Sequence, residues 1–435
     1  MGTQLKRIAF HTMGCKLNYA ETGTISRDFI SHGFEKVGFR EKADIYVVNT
    51  CSVTENADRE ARKLIRQAKR RNPESLVAVI GCYAQLKPQE ISSIPGVNIV
   101  LGHSQKFNLL QHLANLETTA APTVFQDDIN QVDSFKPSYS AGERTRAYLK
   151  IQDGCDYSCS YCTIPLARGK SRNNSILNTL KTARELAGTG TREIVLTGVN
   201  IGDFGQGNEE NFFQLIQELD KLEQIDRIRI SSIEPNLITD DIIEFCAGSR
   251  KFMPHFHLPL QSGSDEMLAL MSRRYNRQLY TDRILKIKEI LPAACIGCDV
   301  IVGFPGETRK HFLETYSFLN ELDISYLHVF TYSERSGTKA PSFGGLVPGE
   351  ERAERSKMLH ILSTKKRHAF QEKFIGKKRQ VLFESLINGE LRGHTDNYIQ
   401  VQVKDDSASI NSILPVILDS NSDFGMIGSL TAESF

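Results

Sequence analysis

The chain has 435 residues, and 53 lysines and arginines against 52 aspartates and glutamates give it a formal net charge of +1. Hydrophobic residues make up 40% and charged residues 24%, a balance that excludes a disordered or collagen-like chain. No window approaches about 18 consecutive apolar residues, and the first residues lack the apolar core of a secretory signal, so we expect a soluble cytoplasmic protein. Nine cysteines in a reducing compartment favour metal binding or catalysis over disulfides.

The first part of the chain alternates short β-rich runs with helical patterns. The predicted strands are 7–12, 44–50 and 76–81. A predicted helix at 56–71 separates the last two, and this order is typical of a parallel sheet with right-handed crossovers. Residues 116–142 are rich in Thr, Pro, Asp and Ser and show no periodicity. We therefore predict an N-terminal α/β domain at 1–120 and a linker at 121–142.

The middle of the chain contains six candidate strands, most of them separated by helical patterns. These strands are 146–151, 193–198, 227–232, 255–261, 298–304 and 326–332. Six β/α units fit a partial or complete barrel, with an open sheet as the alternative, and in each fold chemistry is located where strands end. A basic helical pattern at 351–374 follows, and short alternating runs beyond it predict a small all-β barrel. The expected boundaries are 143–372 and 373–435.

Three cysteines lie close together directly after the first of these strands. Cys155, Cys159 and Cys162 occur in QDGCDYSCSYCTIP at C-x3-C-x2-C spacing. Three thiolates on one loop can hold three irons of a [4Fe–4S] cluster and leave the fourth iron open for a substrate or cofactor. Tyr161 precedes the last cysteine, where an aromatic ring can cover the site. A zinc ribbon needs a second pair at comparable spacing, and no compact pair follows.

Three further cysteines each lie at the carboxyl end of a predicted strand. They are Cys15, Cys51 and Cys82, separated by about one β-α repeat each. Because the carboxyl ends of parallel strands share one edge, the thiols can converge there and suit a second cluster with an open iron. The adjacent Gly14 and Gly81 favour close backbone approach. The alternative is three buried cysteines that pack as small apolar residues.

The first cysteine group resembles the signature of the radical S-adenosylmethionine (SAM) superfamily, which has this spacing and an aromatic residue before the last cysteine. The resemblance implies a partial (β/α)6 barrel and an open iron that binds the amino and carboxylate groups of SAM. It also implies that reduction releases a 5′-deoxyadenosyl radical. For each proposed contact at a strand end, the alternative is an ordinary βα turn. The residues expected to contact the cofactor are Tyr161, Gly198, Asn200, Ser232, Glu234, Gln261 and Gly303.

The order of a three-cysteine α/β domain, a radical SAM domain and a small β-barrel resembles the methylthiotransferase family over essentially the whole chain. The segment GHTDNYIQVQV (393–403) is similar to a TRAM domain. The resemblance implies two [4Fe–4S] clusters, of which the N-terminal one delivers sulfur. It further implies two roles for SAM, as the methyl donor and as the source of the radical.

Within this family, GCKLNYAET around Cys15 is similar to the branch that acts on N6-threonylcarbamoyladenosine. The isopentenyladenosine branch typically has Gln after that cysteine, and the ribosomal-protein branch has Pro. TIPLARGKSRN (163–173) is also similar to the threonylcarbamoyl branch, although His11, Met13 and Leu166 depart from its usual residues. We predict an enzyme that converts this nucleoside, at position 37 of tRNA, to its 2-methylthio derivative. The alternatives are the isopentenyl branch, a non-catalytic Fe–S RNA-binding protein and a zinc-binding structural protein.

The partners implied are the tRNA anticodon stem-loop, a flavodoxin- or ferredoxin-like electron donor and a sulfur source, with no membrane. Short basic runs support contact with RNA, although each is also typical of a solvated surface. Arg168 and Arg172 follow the cluster loop and are hypothesised to contact the nucleoside or its carboxylate. Tyr398 is hypothesised to stack on a base, with barrel core as the alternative. The residues predicted to be core are Cys246, Cys295, Cys298, His255 and His257.

Overall fold

The computed structural model describes residues 6–51, 55–116, 121–141, 145–207, 209–404 and 409–431. They form a parallel α/β sheet, a barrel of parallel strands and a closed antiparallel-rich barrel, in chain order. The predicted mixed α/β fold is confirmed. None of the described helices combines the length and the apolar character that crossing a lipid bilayer requires.

The N-terminal unit is a six-stranded sheet in which every pairing is parallel. Its strands are β1 (Arg7–Thr12), β2 (Glu35–Val37), β3 (Ile45–Thr50), β4 (Leu76–Gly81), β5 (Ile99–Leu101) and β6 (Thr123–Phe125). Its helices are α1 (Lys16–Ser31), α2 (Glu55–Arg71), α3 (Cys82–Leu86), α4 (Pro88–Ser92) and α5 (Leu109–Ala114). The strand order is β2-β1-β3-β4-β5-β6. Every residue of β3 is buried, as expected for a central strand with both faces covered.

The three strands predicted in this unit are present. Strand β6 was not predicted, because it lies within the predicted linker at 121–142. It pairs in parallel with β5, with Leu101 opposite Phe125. A three-residue edge strand is too short to produce a periodic hydrophobic signal, which explains why the sequence did not indicate it.

Among its described residues, the central unit has eight α-helices and nine strands, of which six were predicted. Its strands are β7 (Ser138–Tyr139), β8 (Arg146–Lys150), β9 (Gln152–Asp153), β10 (Arg172–Asn173), β11 (Glu193–Thr197), β12 (Arg227–Ile230), β13 (His255–His257), β14 (Cys295–Val302) and β15 (Tyr326–Thr331). Its helices are α6 (Ile164–Arg168), α7 (Ile176–Ala187), α8 (Phe212–Asp220), α9 (Asp240–Gly248), α10 (Asp265–Leu270), α11 (Arg277–Ile290), α12 (Arg309–Glu321) and α13 (Gly349–Glu372).

Parallel pairing links β8, β11 and β12 in one ladder and β13, β14 and β15 in another. Single parallel bridges join the two ladders, one between Ile228 and Phe252 and one between Ser232 and His257. The two outer strands of this arrangement, β8 and β15, do not pair with each other in the described part of the chain. The unit is therefore the partial six-stranded barrel that the radical SAM resemblance implied.

Helix α1 of the first unit lies against the inner face of this barrel. Along β8, Ala147 and Leu149 belong to the apolar layer under the outer helices, whereas Tyr148 packs with Ala20 of α1 and Val195 of β11. Successive residues of a strand point to opposite faces, so α1 covers the face opposite the outer helices. The first two units therefore share one interior.

The C-terminal unit is a closed five-stranded barrel, which confirms the predicted small all-β module. Its strands are β16 (Lys378–Ile387), β17 (Glu390–Thr395), β18 (Gln400–Val403), β19 (Ile413–Asn421) and β20 (Met426–Leu430). It docks at the amino ends of the central strands, where Arg146 pairs with Glu384 at 3.0 Å. Arg229 of β12 also donates to the backbone oxygen of Asp396 at 3.1 Å. The carboxyl ends of the central strands therefore lie on the side of the central barrel that faces away from the C-terminal barrel.

Candidate functional site

The loop with the C-x3-C-x2-C motif follows β9 at the carboxyl edge of the central barrel. The backbone N–H of Tyr157 donates to Cys155 Sγ at 3.4 Å, and that of Ile164 donates to Cys162 Sγ at 3.4 Å. Such N–H to sulfur hydrogen bonds are typical of thiolates that hold iron–sulfur clusters. Burial raises the pKa of both thiols to about 12, so iron must displace their protons when it binds.

Arg273 connects Cys159 Sγ, the remaining sulfur of this loop, to Glu234, which is predicted to contact SAM. One guanidinium nitrogen donates to Cys159 Sγ at 3.0 Å and to the Tyr161 hydroxyl at 3.4 Å. The other pairs with the Glu234 carboxylate. Arg273 was not predicted as a site residue, because in the sequence it is only part of a short basic run at 273–277. No local pattern indicates a contact between residues so far apart in the chain.

The turn after β11 contains two of the predicted SAM contacts, Gly198 and Asn200. Gln152 fixes this turn, since its Oε1 accepts from the backbone N–H groups of Val199 and Asn200, both at 2.9 Å. In the described part of the chain, the buried Oδ1 of Asn200 has no hydrogen-bond partner. A buried acceptor without a donor is unfavourable, so this position fits a ligand that brings a donor, such as the amino group of SAM.

The other predicted SAM contacts also follow strand ends on this rim. Ser232 Oγ lies 2.7 Å from His257 Nδ1, and the backbone oxygen of Gln261 accepts from Ile301 at 2.9 Å. The backbone N–H of Gly303 donates to the Glu307 carboxylate at 2.7 Å. The rim therefore brings the predicted residues to one edge, while their contact with SAM stays a prediction.

The cysteines of the N-terminal sheet meet at its carboxyl edge through close backbone approach. Gly14 has φ +82, and a Cβ at this position would lie 2.6 Å from Cys51 Cβ and 2.8 Å from Cys51 Sγ. Gly81 has φ +98, and a Cβ there would lie 2.5 Å from the backbone oxygen of Thr50. A larger residue at Gly14 or Gly81 would push the turn that carries Cys15 or Cys82 away from the segment that carries Cys51. The close approach predicted from the two glycines is therefore present.

The thiols of Cys15 and Cys82 are near enough to interact electrostatically. Cys15 is exposed, Cys51 is half-buried and Cys82 is buried. The cysteine group therefore faces solvent on the side of Cys15. Burial raises the pKa of the Cys82 thiol, and the positive charges of Arg168 and Lys106 oppose that rise. These thiols could hold the second cluster, provided that nearby charges favour thiolates.

A buried ion network between the first two units supplies such charges. It consists of Glu21, Lys106, Lys150, Asp153, Arg168 and Arg172. His103 beside it is neutral at pH 7, because burial and then Lys106 lower its pKa to about 3. Four cations therefore face two carboxylates, an excess of two positive charges. Thiolate ligands at Cys82 and Cys15 compensate such an excess, so this environment fits an iron–sulfur cluster.

The two arginines predicted to contact the nucleoside belong to this network. Arg168 is 1% exposed and hydrogen-bonds to both oxygens of Glu21 at 3.1 Å and to Asp153 at 2.9 Å. Arg172 donates to the backbone oxygen of Arg168 at 2.7 Å and lies 2.7 Å from His103 Nε2. The proposed contact of either arginine with substrate stays a prediction.

Tyr398 lies at the other end of the central barrel from the cysteines. Its ring stacks on His255 with 4.1 Å between centroids and an interplanar angle of 23°. The guanidinium of Arg229 lies 4.9 Å from the same ring. These contacts join the C-terminal barrel to the central unit, and the base-stacking role stays a prediction.

Replacing Tyr398 by alanine should loosen the docking of the C-terminal barrel by about 2 kcal/mol, because the stacked ring is removed from a packed interface. Hydrogen exchange of β16–β20 measures this loss as faster exchange. Tyr398→Phe keeps the stack and should exchange like the wild type. Unchanged exchange in Tyr398→Ala together with weaker tRNA binding would favour base stacking instead.

Two family models match the chain, "Uncharacterized protein family UPF0004" at residues 7–102 and "Radical SAM superfamily" at 149–319. A relative named threonylcarbamoyladenosine tRNA methylthiotransferase MtaB from Bacillus subtilis is 39% identical over 94% of this chain and 93% of its own. The protein of the same name from Aquifex aeolicus is also 39% identical, over 91% of this chain and 96% of its own. The chain belongs to the threonylcarbamoyladenosine branch of the methylthiotransferase family.

A tRNA-2-methylthio-N(6)-dimethylallyladenosine synthase from Aquifex aeolicus is 30% identical over 98% of both chains. The dimethylallyl (isopentenyl) branch is therefore the more distant one. The radical SAM methyltransferase TsrM from Kitasatospora setae has a TM-score of 0.57 at 14% identity, covering 75% of this chain and 73% of its own. This likeness shows the fold alone.

This protein is a radical SAM enzyme that uses SAM and two [4Fe–4S] clusters. The non-catalytic Fe–S RNA-binding protein and the zinc-binding structural protein, which were the alternatives, are therefore wrong.

Proposed function

We propose that this enzyme replaces the C2 hydrogen of N6-threonylcarbamoyladenosine, at position 37 of tRNA, with a methylthio group. The observation that carries the proposal is the match along nearly the whole chain to relatives named for this reaction. The two cysteine groups, which lie at carboxyl edges of adjoining units, agree with it. When bound, the clusters and SAM supply the radical, the sulfur and the methyl group.

We assign the SAM cluster to Cys155, Cys159 and Cys162, and the auxiliary cluster to Cys15, Cys51 and Cys82. Arg273 positions Cys159 and Glu234 together, because one guanidinium contacts both side chains. Tyr161 packs edge-on against Phe304 at 6.3 Å between centroids and helps to exclude water from the loop.

Two partners complete the reaction besides tRNA. Reductive cleavage of SAM consumes an electron, for which we propose a flavodoxin- or ferredoxin-like donor. Each methylthio group also consumes one sulfur atom, so a sulfur source must renew it. We place the reaction in the cytoplasm, where tRNA is modified.

Mass spectrometry of tRNA nucleosides from cells with and without the gene tests the proposal. Loss of the gene should abolish 2-methylthio-N6-threonylcarbamoyladenosine and leave its precursor to accumulate. Complementation with the wild type should restore the product, and complementation with Cys155→Ala should not. If the isopentenyl derivative disappeared instead, the branch would be wrong. If neither nucleoside changed, tRNA would not be the substrate.

A further inference from the structure

Polar side chains of three neighbouring strands meet on the inner face of the central barrel. His257 lies on β13, Asp299 on β14 and His328 on β15, and Asp299 is directly opposite His328 in the parallel register. The neighbours of Asp299 on β14, Cys298 and Val300, belong to the apolar layer under the outer helices, so Asp299 points to the interior. Strand pairing therefore brings two imidazoles and one carboxylate together.

The three side chains are close enough to share one ion. Asp299 Oδ1 lies 3.0 Å from His257 Nε2 and 3.1 Å from His328 Nδ1. One ligand atom from each of the three side chains lies within 4.8 Å of the other two. Nitrogen and oxygen ligands of a common ion, at about 2.0–2.2 Å from it, are about 2.8–3.5 Å apart when the ligand angles are about 90–110°. Both measured separations lie in this range.

The two ring nitrogens of His257 distinguish a metal site from a hydrogen-bonded group. The side chain is 9% exposed, and Nδ1 lies 2.7 Å from Ser232 Oγ, a contact that fixes the ring. Among the residues that the structure describes, the buried Nε2 has no hydrogen-bond partner, so Asp299 Oδ1 is near it but out of line with a ring N–H. A buried ring nitrogen without a partner is unfavourable, and a metal ion bound to its lone pair removes that cost.

The site is accessible on the side of His328. This residue is half exposed and lines a cavity of about 230 Å³ between the central unit and the C-terminal barrel. The cavity gives a small ion access to the imidazole. Three protein ligands also leave at least one coordination position for water or for a group of a bound molecule.

We propose that His257, Asp299 and His328 bind one divalent transition-metal ion, such as Zn²⁺, in addition to the iron of the two clusters. Two imidazoles, one carboxylate and an open position are a ligand set typical of such ions. Mg²⁺ and Ca²⁺ instead prefer sites made of oxygen ligands. None of the three side chains belongs to either cysteine group, so the proposal goes beyond the proposed function and does not depend on it.

Zinc binding to the full-length, cluster-loaded protein tests the proposal. The protein is freed of loosely bound metal with a chelator under anaerobic conditions and is then dialysed against a series of buffered, free Zn²⁺ concentrations. Mass spectrometry measures zinc and iron in the same samples. The wild type should bind about one zinc per chain and keep about eight irons, which excludes replacement of iron by zinc.

Asp299→Asn and His328→Gln should each raise the dissociation constant for Zn²⁺ at least about tenfold, because loss of even an orienting partner of a ligand costs about 10–100-fold in metal affinity. His360→Gln, the same change at an exposed histidine of α13, should bind zinc like the wild type. Iron content reports whether each variant is folded, and zinc is expressed per iron-loaded chain.

X-ray absorption at the zinc edge identifies the ligands. The proposal predicts nitrogen and oxygen neighbours at about 2.0–2.2 Å, whereas zinc on cysteines has sulfur neighbours at about 2.3 Å. Sulfur neighbours, or no bound zinc in the wild type at micromolar free Zn²⁺, would overturn the proposal. Equal zinc affinity in the wild type, Asp299→Asn and His328→Gln would overturn it as well.

Discussion

Cys82→Ala should lose methylthiolation completely while the reduced enzyme still cleaves SAM to 5′-deoxyadenosine. Cys82 begins α3 at the carboxyl edge of the N-terminal sheet, outside the loop that carries Cys155. Its removal takes one thiolate from the auxiliary group and leaves the hydrogen bonds to Cys155, Cys159 and Cys162 in place. The two halves of the reaction should therefore separate in this variant.

Cys155→Ala should instead lose both activities, because sulfur transfer depends on the radical. Iron content should fall from about eight per chain in the wild type to about four in either variant. Cys246→Ala is the matched control, since Cys246 is buried in α9 away from both groups and should keep full iron and activity. Methylthiolation by Cys82→Ala at the wild-type rate would remove Cys82 from the auxiliary site.

The placement of the two cysteine groups at the sheet edges was predictable, because its signals are local or follow from topology. Cys155, Cys159 and Cys162 share one loop. Cys15 and Cys82 follow clear strand patterns, and parallel pairing brings the ends of such strands to one edge without any knowledge of side-chain contacts. The glycines before Cys15 and Cys82 added a second local signal, and the structure shows the close approach that they favour.

Residues that act across units were not predictable in this way. Glu21 lies on α1, and nothing in the helix pattern indicates that α1 packs inside the barrel of another unit. Arg273 reaches Cys159 through the same tertiary arrangement. Tyr398 lies in a segment that resembles an RNA-binding module, yet its ring stacks on His255 at the amino ends of the strands. Contacts of this kind depend on how the units pack against each other. The spacing of residues in the sequence does not predict that packing.

Glu21→Gln should lower the free energy of unfolding by about 3–5 kcal/mol at neutral pH, because it removes the shared counter-charge of three buried cations. Glu21 lies 2.6 Å from Lys106, 3.0 Å from Lys150 and 3.1 Å from Arg168, and all four side chains are at most 1% exposed. Lys150 and Arg168 belong to the central unit, so the loss should also weaken docking of α1 inside the barrel. Circular dichroism during urea unfolding of the cluster-loaded protein measures the effect in the first cooperative transition.

The control for this variant is Glu244→Gln, which removes a surface carboxylate that lies 2.7 Å from Lys286. Surface ion pairs contribute about 0–1 kcal/mol, so this variant should unfold almost like the wild type. A loss in Glu21→Gln as small as that in Glu244→Gln would show that the buried ion network does not hold the two units together.

The effect of Glu21→Gln should also depend on pH in a defined direction. Burial alone would raise the pKa of the Glu21 carboxyl, but Arg168, Lys106 and Lys150 hold it well below its ordinary value of 4.5. A carboxyl with a depressed folded-state pKa stabilises the fold fully above its unfolded pKa, and this contribution disappears as the pH falls through the folded pKa. The difference between wild type and Glu21→Gln should therefore be constant from about pH 6 to 8 and shrink below about pH 4.5. A difference that instead grew with acidity would mean that the folded state binds the proton at Glu21 more tightly than the unfolded chain, contrary to the charges that surround it.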